Sequence, residues 1–125
     1  MTFHRLTIGG VAALLVLVGC VGLGSVRSRA RAVTANITVV NNSNWQVRNL
    51  YLSPPDSDAW GPEQLNGTAL GTGQSVTLSN VSCDQANIKI IAEDMDGCFI
   101  SKVTACSGDS TATITNDLTR DCGSN

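Results

Sequence analysis

The sequence predicts an all-β fold, a small antiparallel β-sandwich or barrel of about six or seven strands. Short runs of alternating apolar and polar residues recur after residue 32, and turn-forming residues separate them. No stretch in that part of the chain shows a sustained apolar period of about 3.6 residues, which would indicate an amphipathic helix. Four cysteines in so short a domain further indicate that disulfides stabilise it.

Residues 1–32 are predicted to be an export signal with a short tether. A basic start precedes an uncharged apolar run over Leu6–Val26, and three arginines follow within residues 27–31. Leu17-Val18-Gly19-Cys20 resembles a bacterial lipobox, which would make Cys20 the lipidated first residue. Ala30-Arg31-Ala32 instead has the A-x-A form of a signal-peptidase site, which would release a soluble periplasmic or extracellular protein. An uncleaved anchor is the third alternative, since a spanning helix needs about 20 apolar residues.

Residues 33–125 are enough for one small domain. The domain carries four basic and ten acidic side chains, which gives it a formal net charge of −6. This charge argues against nucleic-acid binding, because that activity requires a basic patch. It also argues against electrostatic binding to anionic lipids. We therefore expect membrane contact only through a lipid anchor at Cys20 or an uncleaved signal.

An even number of cysteines remains in the domain, whichever way the leader is processed. They are Cys83, Cys98, Cys106 and Cys122. In an exported domain of this size they predict two disulfides, each stabilising the fold by about 2–4 kcal/mol. Zinc is the alternative, but no two of them have the close spacing that lets one turn hold an ion. The sequence alone does not decide among the three possible pairings. We favour Cys83–Cys106 with Cys98–Cys122.

Six strands are predicted from alternation and from the turn residues that bound each run. They are Ala35–Asn41, Trp45–Ser53, Ser75–Asn80, Asn87–Glu93, Cys98–Ala105 and Ser110–Asn116. The fourth and fifth form a predicted hairpin, because Gly97 in the loop between them supplies the positive φ that such loops need. An exposed edge position for a strand such as Ala35–Asn41 would favour assembly with a partner strand.

The longest irregular segment runs from Pro54 to Gly73. Pro62–Leu65 within it is predicted to form one helical turn, because proline is favoured at the first helical position. Long loops on a rigid sheet commonly carry binding sites. We therefore expect this segment to provide the contact surface.

Several short motifs follow one another along the domain: N-N-S, L-Y-L-S-P, D-x-W-G-x-x-x-L, G-x-G-x-S-V, a cysteine and D-x-D-G. They comprise Tyr51, Ser53, Pro54, Trp60, Gly61, Leu65, Gly73, Ser75, Cys83, Asp94, Asp96 and Gly97. With these motifs the chain resembles a group of small, uncharacterised exported bacterial β domains in which Y-(I/V)-S-P and W-G recur. The resemblance implies a compact β domain in the bacterial envelope, and it implies no activity.

Catalytic chemistry has few candidates here. The single histidine is His4 in the leader, so the domain lacks the base of Ser-His-Asp and Cys-His catalysis as well as histidine metal ligands. A pair of carboxylates across a cleft remains formally possible. We expect the domain not to be an enzyme.

An acidic loop offers a possible calcium site. Glu93, Asp94 and Asp96 are close together in sequence, and calcium prefers clustered oxygen ligands. The remaining ligand spacing of an EF-hand is missing, so we favour a solvated hairpin turn with no cofactor. Asp56 and Asp58 would contribute if the long segment came near.

The aromatic residues allow two interpretations. Trp45, Tyr51 and Trp60 are either an exposed stacking surface for a sugar or peptide, or part of the core. We expect the core for most of them, with Trp60 the best candidate for exposure. The candidate ligand-binding residues are Trp60, Tyr51, Asp56 and Asp58.

Together these observations predict a non-enzymatic exported binding module of the bacterial cell envelope. The alternatives are a structural component of a surface assembly that recruits partners by edge-strand pairing, or a weak calcium-dependent binding domain.

Overall fold

A computed structural model describes residues 33–123. The predicted export signal and the lipidation candidate Cys20 lie outside the described residues. Seven strands are present: β1 Val33–Asn42, β2 Val47–Ser53, β3 Ser75–Cys83, β4 Asn87–Asp94, β5 Phe99–Ala105, β6 Ser110–Thr115 and β7 Arg120–Asp121. The described part contains no helix, and so none that could span a membrane.

The strands form two sheets that enclose one core. The first sheet has the order β3-β1-β6, and the second has the order β2-β4-β5-β7. β1 is antiparallel to β3 and parallel to β6, whereas neighbouring strands of the second sheet are all antiparallel. Aliphatic side chains from both sheets make up the buried cluster between them. The predicted all-β class is therefore confirmed, and of the sandwich and barrel alternatives the two sheets correspond to the sandwich. The parallel β1–β6 pair differs from the antiparallel pairing that the sequence predicted.

Alternation along the strands correctly predicted which side chains enter the core. Ile88, Ile90 and Ala92 of β4 all belong to the buried cluster. Ala112 and Ile114 of β6 do so as well, with the threonines between them half-buried or exposed. This follows from the two-residue period of a strand, since one face packs and the other meets solvent.

The aromatic residues contribute less to the core than expected, since Trp45 packs against the core cluster but Tyr51 does not belong to it, while the predicted exposure of Trp60 is confirmed. Every large side chain that is fully buried is aliphatic, apart from a few polar ones. Trp45 is half-buried at the margin of the core, while Trp60 is 42% exposed. The space between the two sheets is instead filled by isoleucine, leucine, valine and alanine.

The suggested edge position of Ala35–Asn41 was also wrong. This run lies in β1, which is the central strand of its sheet, between β3 and β6. Both backbone edges of β1 are consequently used, and Ile37 and Val39 are fully buried. The free edges of that sheet belong to β3 and β6.

The predicted hairpin is present between β4 and β5. Its loop contains Gly97 with a φ of 80°, a conformation that glycine adopts without strain. Asp94 is buried and closes the loop, because its Oδ1 accepts hydrogen bonds from the Asp96 N–H at 2.9 Å and the Cys98 N–H at 3.0 Å. An aspartate that binds the backbone two residues ahead is a common turn element.

Two disulfides tie the sandwich together. Cys83 at the end of β3 is bonded to Cys106, which follows β5, so this bridge joins the two sheets. Cys98 and Cys122 form the second bridge beside β5 and β7, with their Cα atoms 4.1 Å apart. This is the pairing that the sequence analysis favoured.

The long segment between β2 and β3 contains no helical turn, so the prediction for Pro62–Leu65 was wrong. The segment instead lies along the outer edge of β2. The Leu50 carbonyl accepts a hydrogen bond from the Gln64 N–H at 2.8 Å, and the Leu52 carbonyl accepts one from the Gly61 N–H at 2.9 Å. These backbone groups therefore bind across to the strand and not within a helical turn.

Glu63 fastens the same segment to β2. Its Oε1 accepts hydrogen bonds from the N–H of Leu50 at 3.0 Å and of Leu65 at 2.7 Å, while Oε2 accepts one from Asn66 at 2.8 Å. Burial acts to raise the pKa of this carboxyl, but the backbone donors outweigh it and the pKa is lowered. The charged carboxylate thus holds the segment in place.

Candidate functional site

The strongest candidate site lies on the outer face of the second sheet. Tyr51 on β2 pairs with Ile91 on β4, and both side chains point away from the core. Ile91 is nevertheless only 2% exposed, so side chains on the outer face must cover it. Phe99 on β5 pairs with Glu93 and lies on the same face. An apolar patch is thereby built on a surface that alternation assigns to solvent.

Trp60 completes this patch from the long segment. Its ring centroid lies 5.2 Å from that of Tyr51 and 5.1 Å from that of Phe99, with the Phe99 ring edge-on. Such aromatic pairs contribute about 0.5–1.5 kcal/mol each beyond the area they bury. Because Trp60 keeps 42% of its surface exposed, the neighbouring rings support it without enclosing it. We call Trp60, Tyr51 and Phe99 the aromatic patch.

The backbone around Trp60 is held on both sides. The Trp60 N–H donates to the Asp58 carbonyl at 2.9 Å, and the next residue, Gly61, is bonded to Leu52 on β2. The Ser53 hydroxyl also donates to the Ser57 carbonyl. The indole is thus carried by a segment attached to the edge of the sheet, as a rigid stacking surface requires.

A groove of about 430 Å³ borders the aromatic patch. Its apolar lining is Trp60, Phe99, Ile91 and Leu118, and its polar lining is Asp58, Lys89, Ser101, Thr119 and Asp121. Lys89 Nζ lies 3.2 Å from Asp58 Oδ1, and the Lys89 side chain is only 16% exposed while that of Asp58 is 93% exposed. A donor and an acceptor are therefore positioned next to a flat apolar surface.

This arrangement suits stacking and hydrogen bonding. An indole face can pack against the apolar face of a sugar ring or against a planar peptide group. The ammonium and carboxylate groups can then bind hydroxyl or amide groups at the periphery of the ligand. Because the Asp58 carboxylate is 93% exposed, water screens its attraction to Lys89, so a ligand can displace Asp58 from this pair at small cost.

The predicted ligand-binding residues are only partly brought together. Trp60 and Asp58 line the groove and Tyr51 packs against Trp60, whereas Asp56 accepts a hydrogen bond from Gln85 Nε2 at 3.1 Å and does not line it. Sequence reasoning missed Lys89 and Phe99. Alternation along the strands could have identified both residues. Phe99 directly precedes the buried Ile100, and Lys89 lies between the buried Ile88 and Ile90, so both side chains point to the outer face of the sheet.

The three carboxylates of the acidic hairpin do not converge on one point, because Glu93 binds a different arginine from Asp94 and Asp96. Glu93 and Asp94 are consecutive strand residues and point to opposite faces of the sheet. Glu93 binds Arg48 and accepts a hydrogen bond from Asn49 Nδ2 at 3.0 Å. Among residues 33–123 no group of three histidine, cysteine or acidic side chains is arranged to hold a metal ion. The three proposed calcium ligands bind arginine or backbone groups in this structure.

Asp94 and Asp96 share one cation. Arg120 Nε lies 2.6 Å from Asp94 Oδ2, and its Nη2 lies 2.8 Å from Asp96 Oδ2. The guanidinium also lies 5.5 Å from the centre of the Trp45 ring, within cation–π range. Burial acts to raise the pKa of Asp94, but the hydrogen bonds from Arg120, Cys98 and Asp96 outweigh it and lower the pKa.

Asp94 should therefore make the stability of the domain depend on pH. Its pKa is lower folded than unfolded, so its contribution is present above the unfolded value of about 4 and is lost as the pH falls through the folded value. We expect Asp94→Asn to destabilise the domain by about 2 kcal/mol at neutral pH, because charged hydrogen bonds are lost. Urea unfolding measured from neutral to strongly acidic pH should show the variant and the wild type converging. A constant difference across that range would contradict this account.

Comparison with known proteins identifies no family for this chain. No family model matches the chain, and no curated protein matches it. A solved structure that is similar is an NMR structure of a protein from Eubacterium rectale. The two chains are 20% identical with a TM-score of 0.45, over 68% of this chain and 80% of that one.

Proposed function

We propose that this chain is a non-enzymatic exported binding module of the bacterial cell envelope and that its contact surface is the aromatic patch with the adjoining groove. A single observation carries the proposal: Trp60 is exposed, yet it is held between Tyr51 and Phe99 at the rim of a groove that contains Lys89 and Asp58. Isolated exposed aromatic residues are ordinary, but a supported indole beside oriented polar groups is typical of recognition surfaces.

The ligand class follows from the two halves of the site. A flat apolar face is needed to stack on Trp60, and hydroxyl or amide groups are needed to bind Lys89 and Asp58. Sugars and short peptides have both features. Because the domain carries a formal net charge of −6, a neutral ligand is favoured over an acidic one.

The chemistry of the groove suits binding more than catalysis. All four domain cysteines are in disulfides, and residues 33–125 contain no histidine. The groove thus offers carboxylates, one lysine and hydroxyl groups, which hydrogen-bond a ligand without a paired nucleophile and base.

Export is supported by the disulfides, which indicate a non-reducing environment. The leader pattern at Leu17–Cys20 supports attachment to a membrane through a lipid on Cys20, and the A-x-A pattern at Ala30–Ala32 supports release. In either form the folded domain would face an extracytoplasmic ligand.

Replacing Trp60 with alanine should affect binding more than stability. We expect binding to weaken by at least about tenfold, as for a central aromatic anchor. The unfolding free energy should fall by only about 1–3 kcal/mol, from the loss of two aromatic contacts. Wild type and variant would be compared on arrays of printed glycans and of synthetic peptides, and their stabilities measured by urea unfolding.

Val103→Ala is a matched control for this comparison. Val103 is also an apolar residue on the outer face of the second sheet and is 49% exposed, but it does not line the groove. It should bind like the wild type. Equal binding by Trp60→Ala and the wild type would contradict the proposal, and so would a loss of stability large enough to unfold the variant.

A further inference from the structure

Two edge strands of the sandwich, β2 and β3, differ in how their outer backbone groups are bonded. The long segment covers the outer edge of β2 with backbone hydrogen bonds. β3 is the edge strand of the first sheet and pairs with β1 alone. Within residues 33–123, no backbone hydrogen bond joins β3 to any other strand. In an antiparallel pair every second residue directs its N–H and C=O away from the partner, so β3 presents unpaired groups along its free edge.

The composition of β3 does little to protect that edge. Its nine residues, Ser75–Cys83, include no charged residue and no proline. Natural edge strands are commonly protected by lysine, proline or a bulge. β3 has one irregularity, where Asn80 adopts a φ of 54° and the register with β1 shifts. The edge thus remains suited to pairing on either side of this position.

A cavity of about 410 Å³ runs along the same edge. It contacts the five consecutive residues Ser79–Cys83. Val81, Ser82 and Cys83 follow the irregularity at Asn80 and pair regularly with β1, so their side chains alternate between the two faces, and a cavity that touches all three lies along the edge of the strand. The long segment forms the opposite wall with Pro54 and Pro62, and the buried side chains of Val81 and Ile88 contribute an apolar surface.

Charge determines which partner fits this cavity. Asp84 lines the cavity. Gln85 also lines it, and its side chain donates a hydrogen bond to the Asp56 carboxylate. No lysine or arginine lines it. An acidic peptide would be repelled, whereas a neutral or basic one would be favoured. A second copy of the domain is disfavoured, because each copy carries a formal charge of −6 and β3 has no cation to offset it.

We propose that the free edge of β3 binds an extended, neutral or basic peptide segment of another protein by strand addition. The peptide backbone pairs with β3, and alternate side chains of the peptide enter the cavity beside Val81 and Ile88. In this mode of recognition, main-chain hydrogen bonds provide affinity and side-chain pockets provide specificity. The site is separate from the aromatic patch and does not depend on its function.

The test uses a defined probe. A peptide of about six residues, a usual strand length, alternates valine and threonine and has lysine at both ends. Titrated into isotopically labelled domain, it should shift the amide NMR signals of Ser75–Cys83. The same peptide with N-methyl groups on alternate amides should bind at least about tenfold more weakly, because it cannot pair along the edge. A peptide with glutamate in place of lysine should also bind more weakly.

Variants of the domain test the role of charge. Asp84→Lys should weaken binding of the lysine peptide roughly fivefold, as for an exposed ion pair that is reversed. Asp117→Lys makes the same change in net charge at an exposed residue that does not line the cavity and whose carboxylate binds only the neighbouring Thr115 hydroxyl, and it should have little effect. The proposal is overturned if no peptide binds, if the N-methylated peptide binds equally well, if the shifts lie at Phe99 and Thr119 in the other groove, or if β3 instead pairs with a second copy.

Discussion

Removing the Cys83–Cys106 disulfide is expected to lower the free energy of unfolding by about 3 kcal/mol, a large part of the stability of so small a domain. The bridge joins the edge of the first sheet to the second sheet, and Cys106 is only 1% exposed. Close by, the Cys106 N–H donates to the Ala86 carbonyl at 2.8 Å in the connection between β3 and β4. Without the bridge, the connection between β3 and β4, where the chain passes from one sheet to the other, loses its covalent link to the end of β5.

The paired variant Cys83→Ala/Cys106→Ala is best compared with Cys98→Ala/Cys122→Ala. The sequence separations are 23 and 24, so the entropy that each bridge removes from the unfolded chain is nearly equal. Because Cys122 is exposed and its bridge stays within one sheet, we expect the second variant to lose less stability. Urea unfolding of both measures the difference. An unchanged stability in the first variant would show that the bridge does not hold the sheets together.

Replacing Asn41 with alanine is expected to destabilise the domain by about 3 kcal/mol, because several buried polar groups lose their partners. Asn41 is fully buried at the end of β1. Its Nδ2 donates to the Trp45 carbonyl at 2.7 Å and to the Leu70 carbonyl at 2.9 Å. Its Oδ1 accepts hydrogen bonds from the Ser43 N–H at 3.1 Å and from the Ser43 hydroxyl at 2.6 Å. One side chain thus links the β1–β2 turn to the end of the long segment.

Asn42→Ala is the matched control, since Asn42 is the neighbouring asparagine and is exposed. It should change stability by less than about 0.5 kcal/mol. Asn41→Asp tests the donors separately, because it keeps Oδ1 but places a second oxygen against two carbonyls. We expect that variant to be less destabilised at low pH, where a protonated carboxyl can donate one hydrogen bond. Equal losses for the two alanine variants in urea unfolding would refute this role of Asn41.

The parts of the fold that local alternation determines could be predicted. β4 and β6 follow the expected pattern because every second side chain enters one core. The hairpin could be predicted because Gly97 and Asp94 act within a few residues of each other. The central position of β1 in its sheet could not be predicted, because an apolar run has the same sequence pattern in a central strand and in an edge strand. Only the partners β3 and β6 settle it.

The candidate site depended on contacts that are distant in sequence. Trp60 reaches the outer face because Gly61, Glu63 and Gln64 bind the edge of β2, and these hydrogen bonds leave no periodic signal. The sequence places Asn41 at the end of a predicted strand, and its local pattern does not show that this side chain is the buried centre of the turn that follows. For both Trp60 and Asn41, the contacting residues are distant in sequence, so the local sequence does not predict them.

The measurement that tests the central proposal most directly is amide and indole NMR of the labelled domain. It would be titrated with the soluble glycan or peptide that the arrays select. We predict that the largest shifts fall on the Trp60 indole, Phe99, Ile91 and Thr119, and that Trp60→Ala abolishes them. Shifts confined to the β3-β1-β6 sheet, or unchanged binding by the variant, would contradict the assignment of the aromatic patch as the binding surface.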